Sequence, residues 1–498
     1  MLFNSASFIF VFLPLTLAAF AVAVRLRSSP LAVAVLVVAS FVYYGWWEPG
    51  LLVLLGASTA FNYVMGRIIG HTVLCKQTAL VKVLLSVGIG GDLSLLAYYK
   101  YGDFFITNLN ALTGLTNGLP TIALPIGISF YTFTQIAFLV DAAKGQITLS
   151  AVRSRLRLFD YALFVSYFPH LVAGPIIHHR ATIPQFHRMA ANGWDTVAIA
   201  TGLSIFAIGQ FKKIGLADNV APFADVAFAQ ATTGSLPLLD SWIGAIAYAL
   251  QIYFDFSGYS DMAIGLSLLF GVRLPVNFAS PYKATSIVEF WSRWHMSLSA
   301  FLRDYLYIPL GGNRRGAVRR YMNLMLTMLL GGLWHGAGWT FVVWGGLHGL
   351  YLIINHASRF VFGQPSPNPT IGVLWFKRAF VFLSVTIAWV FFRSDSMGAA
   401  YNLFQGMSGA SGFAATSSHA ASLGWIAIGL VIVWALPNTY QIFARFNPSL
   451  PLPPQLASVP ADLLAWRMNA ALAIVLGGLL GSCILGVNRF SPFLYYRF

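Results

Sequence analysis

The stretch MNLMLTMLLGGLWHGAGWTFVVWGGLHGLY, residues 322–351, contains no Asp, Glu, Lys or Arg. A helix needs about 20 such residues to cross the hydrocarbon core of a bilayer, so this stretch reads as a membrane span. Within it sits His335, in Gly331-Gly332-Leu333-Trp334-His335-Gly336-Ala337-Gly338-Trp339. An ionisable ring at that depth is costly, and its default reading is functional. The flanking glycines keep bulky neighbours away from the imidazole and leave room for another group to approach. The plain alternative is a packed, hydrogen-bonded helix histidine.

Composition extends this reading to the whole chain. It is 58% hydrophobic and 9% charged, with a mean hydropathy of +0.72, whereas soluble domains are about a quarter charged. Apolar runs recur near residues 4–24, 30–47, 51–70, 83–99, 121–140, 159–179, 197–217, 240–270, 322–351, 372–392, 422–437 and 469–490. The expectation is an all-α polytopic membrane protein, a bundle of about 10–13 membrane helices, some short or re-entrant. It forms one transmembrane domain over residues 1–498, with no internal repeat and no separate soluble domain.

Nothing basic precedes the first run, and Arg25 and Arg27 follow it. It reads as a retained span with the N-terminus outside and Arg25 in the cytoplasm. The net charge of +15, from 30 basic and 15 acidic residues, marks cytoplasmic loops; nucleic acid is not an expected partner. Cys75 and Cys483 are the only cysteines, which excludes a disulfide framework, and neither stands at metal-ligand spacing. The basic segment 144–157 (KGQITLSAVRSRLR) is expected on the cytoplasmic surface. Pro125 and Gly127 in LPIGISFYTF (124–133), at the start of a span, predict a broken span whose irregular backbone is buried in protein or lines a cavity.

From Thr285 to Pro309 the pattern changes, with Glu289, Arg293, His295, Arg303 and Asp304 making the segment too polar to lie in lipid. Trp294, Leu298, Phe301 and Tyr305 share one helical face, and Ser292, His295 and Ser299 form a narrow polar strip. This predicts one amphipathic or re-entrant helix carrying His295 on a polar seam, with Glu289 and Arg293 in the favoured i,i+4 order for an ion pair.

Three other groups carry charge or ligating atoms. Asp255 and Asp261 follow an apolar run and need partners, either an arginine or a histidine they would orient. Gly311-Gly312-Asn313-Arg314-Arg315-Gly316, followed by Arg319 and Arg320, offers an anion-binding nest or an ordinary positive-inside loop. His178, His179 and His187 cluster near a span end without the spacing of a metal site, so no metal is expected. The chain lacks a Gly-x-Ser-x-Gly elbow and a Walker loop, which argues against a hydrolase of that type and an ATP-driven pump.

At these residues the chain resembles the membrane-bound O-acyltransferase (MBOAT) family, in particular the bacterial branch concerned with alginate O-acetylation and teichoic-acid D-alanylation. The resemblance is carried by LPIGISFYTF (124–133), YFPHLVAGPI (167–176), QIYFDFSGYSDMAIG (251–265), FWSRWHMSLSAFLRDYLYIPLGGNRRG (290–316), GGLWHGAGWTFVVWGGLHG (331–349), FFRSDS (391–396), LPNTYQ (436–441) and FLYYRF (493–498). His170 stands where glutamine is expected, and His178-His179 replace a small or basic pair.

The resemblance implies a helical bundle enclosing a tunnel, with the catalytic core near residues 121–356, in the inner membrane of a bacterium. It implies that His335 is the catalytic histidine and His295 its polar partner. The donor would be acetyl-CoA or another cytoplasmic acyl thioester, and the acceptor an exported polysaccharide such as alginate, directly or through a periplasmic acetyltransferase or esterase-like partner. No resident cofactor is implied. Trp294 and Trp334, which offer indole N–H donors, and Arg314 and Arg315, which offer charge, are the expected contacts to the donor. The competing class is a polysaccharide or lipid-linked-precursor flippase that performs no acyl chemistry.

Overall fold

The computed structural model describes residues 1–114, 123–146, 158–191, 193–363, 366, 369–413, 419–451, 453–456, 466, 470–486 and 493–494. The larger part of the expected cytoplasmic basic segment, 147–157, lies outside them. Every regular element among the described residues is helical. Among the described residues, five helices are long and apolar enough to cross a membrane: Phe8–Arg25, Leu51–Leu74, Thr78–Thr113, Thr196–Ala231 and Ile371–Arg393. Ser29–Gly45, Ile128–Ala143 and His419–Ala435 are shorter apolar helices. The protein is an all-helical, multi-pass membrane protein.

The chain divides into two compact units. The first comprises Met1–Ala207, Ser260–Val276 and Arg445–Pro451. Three of its helices, Leu51–Leu74, Thr78–Leu96 and Ile128–Ala143, are tied together by one buried carboxamide. Asn62 Nδ2 donates to Asp92 Oδ1 at 2.7 Å and to Gln135 Oε1 at 2.5 Å, while Ser58 Oγ also donates to Gln135 Oε1 at 2.8 Å. Where lipid offers no competing partners, such side-chain bonds hold helices together. In the 124–133 stretch the irregular backbone precedes the helix and does not interrupt it. Gly127 adopts φ +75°, the helix starts only at Ile128, and a Cβ at Gly127 would sit 2.9 Å from the Leu171 carbonyl oxygen.

The second unit comprises Ile208–Tyr259, Asn277–Ala444 and Leu452–Phe498. The uncharged stretch around His335 is not the single span its composition suggested. It folds into two helices, Gly316–His335 and Trp339–Phe362, because glycines let the chain reverse and pack back on itself. A Cβ at Gly332 would collide with the Phe341 carbonyl and Gly345, and one at Gly345 would collide with the Met328 carbonyl. A Cβ at Gly349 would meet Met325 Sδ at 2.8 Å. Gly345 and Gly349 thus act as a small-xxx-small face that brings two backbones together. In the turn, the Phe341 ring lies where a Gly336 side chain would be.

Among the described residues Asp255 pairs with neither an arginine nor a histidine. Its partner is Lys213, at 2.7 Å, which also reaches Asp218 at 2.8 Å. Lys213 is 2% exposed and sits in a π-helical turn, Phe211–Ala217. The Leu494 N–H donates to Asp255 Oδ2 at 3.0 Å. This is an ion cluster of the kind a buried charge inside a membrane protein requires.

Gly345→Ala should lose stability by about 1–3 kcal/mol, because a backbone carbonyl cannot move aside for a methyl group. Gly346→Ala is the control, since its Cβ would meet Leu329 at an ordinary 3.5 Å. The check is thermal unfolding of the purified protein in detergent: a lower midpoint for Gly345→Ala and an unchanged one for Gly346→Ala.

Candidate active site

His335 is the last residue of the Gly316–His335 helix and is 4% exposed. The flanking glycines do not keep bulky neighbours away as the sequence suggested, because residues distant in the chain close in: four aromatic rings box its imidazole. Their centroids lie 4.9 Å (Trp334), 5.1 Å (Trp344), 5.2 Å (Phe392) and 6.5 Å (His295) away. The two histidines that the sequence singled out therefore adjoin, near enough for one bridging molecule to meet both rings. Trp334 touches both, lying 6.3 Å from His295.

His295 is held in a way the helical pattern did not foresee. Residues 285–309 do not form one helix. A short helix, Ile287–Trp291, ends, and a second, Met296–Leu302, begins with His295 as its N-cap residue in the left-handed region, at φ +41°, ψ +55°. That conformation is uncommon for any residue other than glycine, and the polar strip through Ser292, His295 and Ser299 does not exist as a helical seam. The compensation comes from Asn277, whose Oδ1 lies 3.2 Å from His295 Nδ1 and accepts from Ser297 N–H at 3.2 Å and Ser297 Oγ at 2.9 Å. Met296 N–H also donates to the Asn277 carbonyl at 3.0 Å. Phe256 closes the other side of the His295 ring edge-on, at 4.7 Å.

The segment leading into this bend is locked. Arg293 binds Glu289 Oε1 through Nε at 3.0 Å and Nη2 at 2.7 Å, the i,i+4 pair expected. It also donates to the Ala279 carbonyl at 2.9 Å. Burial pushes the Glu289 carboxyl up, but the Thr285 N–H and hydroxyl, each at 2.8 Å, and Arg293 outweigh it and hold the group below the ordinary carboxylate range.

The remaining expected residues separate. Trp294 joins an aromatic wall, stacked on Phe290 at 5.6 Å and packed against Phe278 and Trp389, each at 5.0 Å. Arg314 and Arg315 are exposed just before the other end of the His335 helix, which at 1.5 Å per residue is about 30 Å long. They are not part of the histidine cluster. In the first unit, His179 and His187 pair with Asp141 at 3.6 Å and Asp160 at 3.2 Å, and His170 Nε2 lies 3.1 Å from the Phe164 carbonyl. No group of three metal-ligating side chains occurs among the described residues.

Two residues near the site carried no expectation. Asn277 is an amide between apolar neighbours, with no signal in the pattern. His348, fully buried, accepts the Trp291 indole N–H at Nδ1 (3.2 Å) and packs on Trp344 at 4.9 Å. It lies in the same uncharged stretch as His335, so the rule that marks an intramembrane imidazole as functional applied to it equally.

Residues 51–393 match the sequence profile of the membrane-bound O-acyltransferase family. The chain belongs to that family. It is similar to a peptidoglycan O-acetyltransferase of Helicobacter pylori, at 42% identity over 83% of this chain and 80% of the relative. A probable alginate O-acetylase of Azotobacter vinelandii is 39% identical over 93% of this chain and 94% of its own. A teichoic acid D-alanyltransferase of Bacillus subtilis is 28% identical over 46% of this chain and 58% of its own. The protein is thus an O-acyltransferase, and the box around His335 lies inside the matched region.

Asn277→Ala should leave this acyltransferase folded but slow. Releasing His295 and Ser297 from their shared acceptor moves the imidazole, and misplacement by about 1 Å can cost about 10²-fold in rate. The measure is acyl transfer per unit of protein in isolated membranes; a wild-type rate would show that Asn277 does not set the His295 position.

Proposed function

We propose that this acyltransferase moves an acetyl group from a cytoplasmic thioester, acetyl-CoA or an acyl carrier, to hydroxyls of an exported polysaccharide. The observation that carries the reading is the pair of buried imidazoles 6.5 Å apart in an aromatic box. Relatives that cover most of the chain are named for O-acetylation of peptidoglycan and of alginate, which favours a glycan hydroxyl as acceptor. The location that fits is a bacterial inner membrane, with the acceptor reached from the outside, directly or through an esterase-like periplasmic partner.

His335 acts as the base. Its ring takes the proton from the acceptor hydroxyl as the oxygen attacks the thioester carbonyl carbon. The C–S bond then breaks, and the departing thiolate takes that proton from the His335 imidazolium. Histidine suits this exchange because its ordinary pKa lies near the operating pH. His295, fixed by Asn277, orients the acceptor beside it. No serine or cysteine needs to form an acyl-enzyme.

Arg314 and Arg315 fit the charged end of the donor. A thioester on a long arm has its phosphates far from its reacting carbon, and the length of the Gly316–His335 helix separates the arginines from the base in the same sense. Clustered positive charge at a tunnel mouth would raise the local concentration of an anionic donor.

The decisive experiment is His335→Ala, scored for polymer-bound acetyl and protein abundance together. Loss of a general base costs about 10²–10⁴ in rate, so acetylation should vanish at normal abundance. Wild-type acetylation in a well-expressed His335→Ala strain would move a flippase to first place. Arg314→Gln with Arg315→Gln should raise the donor KM at low salt and leave kcat unchanged; an unchanged KM would reduce the arginines to setting topology.

A further inference from the structure

Trp344 and His348 lie one turn apart on the Trp339–Phe362 helix, 1% and 0% exposed, with rings 4.9 Å apart. The Trp291 indole donates to His348 Nδ1 at 3.2 Å, which places the hydrogen of the neutral imidazole on Nε2. The ring is clamped, parallel to Phe290 at 6.1 Å and edge-on to Trp291 at 5.1 Å. No protein group among the described residues accepts from His348 Nε2 or from Trp344 Nε1. Buried N–H groups without an acceptor are costly, and two such donors stand on one helix face beside the base, since Trp344 also touches His335 at 5.1 Å.

We infer that the Trp344 Nε1–H and His348 Nε2–H are the hydrogen-bond donors for the carbonyl oxygen of the acyl group being transferred. The inference rests on the reading of His335 as base and names the groups that act with it. Both donors are uncharged, and the rings around them, Phe290, Trp389 and Phe392, are uncharged too. Such a box suits a neutral acceptor with two lone pairs, and suits a phosphate or carboxylate poorly. When the acceptor oxygen bonds to the carbonyl carbon and its proton passes to His335, the carbonyl oxygen takes up the negative charge until the C–S bond breaks. Donors fixed in advance, in a dry aromatic site, stabilise that charge more than the ground-state carbonyl. Trp291 and Phe290 are then positioning residues, holding the imidazole in one tautomer and one plane.

The test uses the full-length protein in inverted membrane vesicles with labelled acetyl-CoA as probe, reading label transferred to the cells' own exported polysaccharide. Trp344→Phe and His348→Phe keep the ring and remove the N–H. Each should lower kcat about 10²–10³-fold, the usual effect of removing one oxyanion donor, at unchanged donor KM. A raised KM with unchanged kcat would place the bonds on a carbonyl of the donor's arm and overturn the assignment to the reacting carbonyl. An unchanged rate at equal abundance would overturn it outright.

If a phenylalanine variant fails to accumulate, His348→Gln and His348→Asn decide. Glutamine places its amide N–H near Nε2, and asparagine near Nδ1. An active glutamine and an inactive asparagine variant are expected; the reverse, or equal activities, would reject the donor role. His335→Ala, assayed alongside, separates the two readings: full activity there would remove the base without bearing on whether Trp344 and His348 matter.

Discussion

The close approach of two helix backbones at Gly332 and Gly345 is the constraint on which the site depends. It fixes how the Trp339–Phe362 helix returns along the Gly316–His335 helix, and so which side chains can face His335. Because the chain reverses through Gly336 and Gly338 immediately after the histidine, the imidazole sits at a helix end, not along a lipid-facing side. The same reversal brings Trp344 to its ring at 5.1 Å and sets His348 one turn beyond. A larger residue at either glycine would separate the helices and open the box from within. In lipid, where apolar burial between helices contributes little, such small-residue contacts supply much of the packing.

Asn277 performs the matching task for His295. A left-handed backbone at a histidine is strained, and it persists because one carboxamide oxygen engages both the ring and the next turn, through Ser297. The bend ends one helix and starts another, and it turns the imidazole towards His335, away from the face a continuous helix would have given it. The Glu289–Arg293 pair and its bond to the Ala279 carbonyl anchor the segment upstream of the bend. Strain at a residue held from several directions is a common mark of a functional position.

How far the site was legible follows from the kind of signal each residue leaves. His335 and His295 stand out because ionisable rings in apolar surroundings are costly wherever they occur, and that cost can be judged without coordinates. The Glu289–Arg293 pair was legible because i,i+4 geometry is local. The single span expected over 322–351 failed for a different reason: hydropathy measures the solvent preference of a segment, and a hairpin of two apolar helices has the same composition as one long one. Asn277 left no trace because its meaning comes from residues 18 to 20 positions away in sequence. Lys213 as the Asp255 partner was hidden likewise, since the bond joins residues far apart in the chain. His348 was within reach, since it shares its uncharged stretch with His335 and a helical face with Trp344.

The arrangement also bears on why the reacting box is built from aromatic rings. A tryptophan or histidine offers a rigid N–H on an otherwise apolar surface, so it can stand in a dry site without a compensating charge. Aliphatic walls would keep water out but supply no donors. Asparagine or arginine would supply donors but demand partners of their own, as Lys213 demands two carboxylates. Rings such as Trp334, Trp344 and His348 exclude water and present N–H groups at once. That combination matches a reaction whose ground state is neutral and whose charge exists only in passing, and it is consistent with Arg314 and Arg315 standing at the far end of the helix that carries the base.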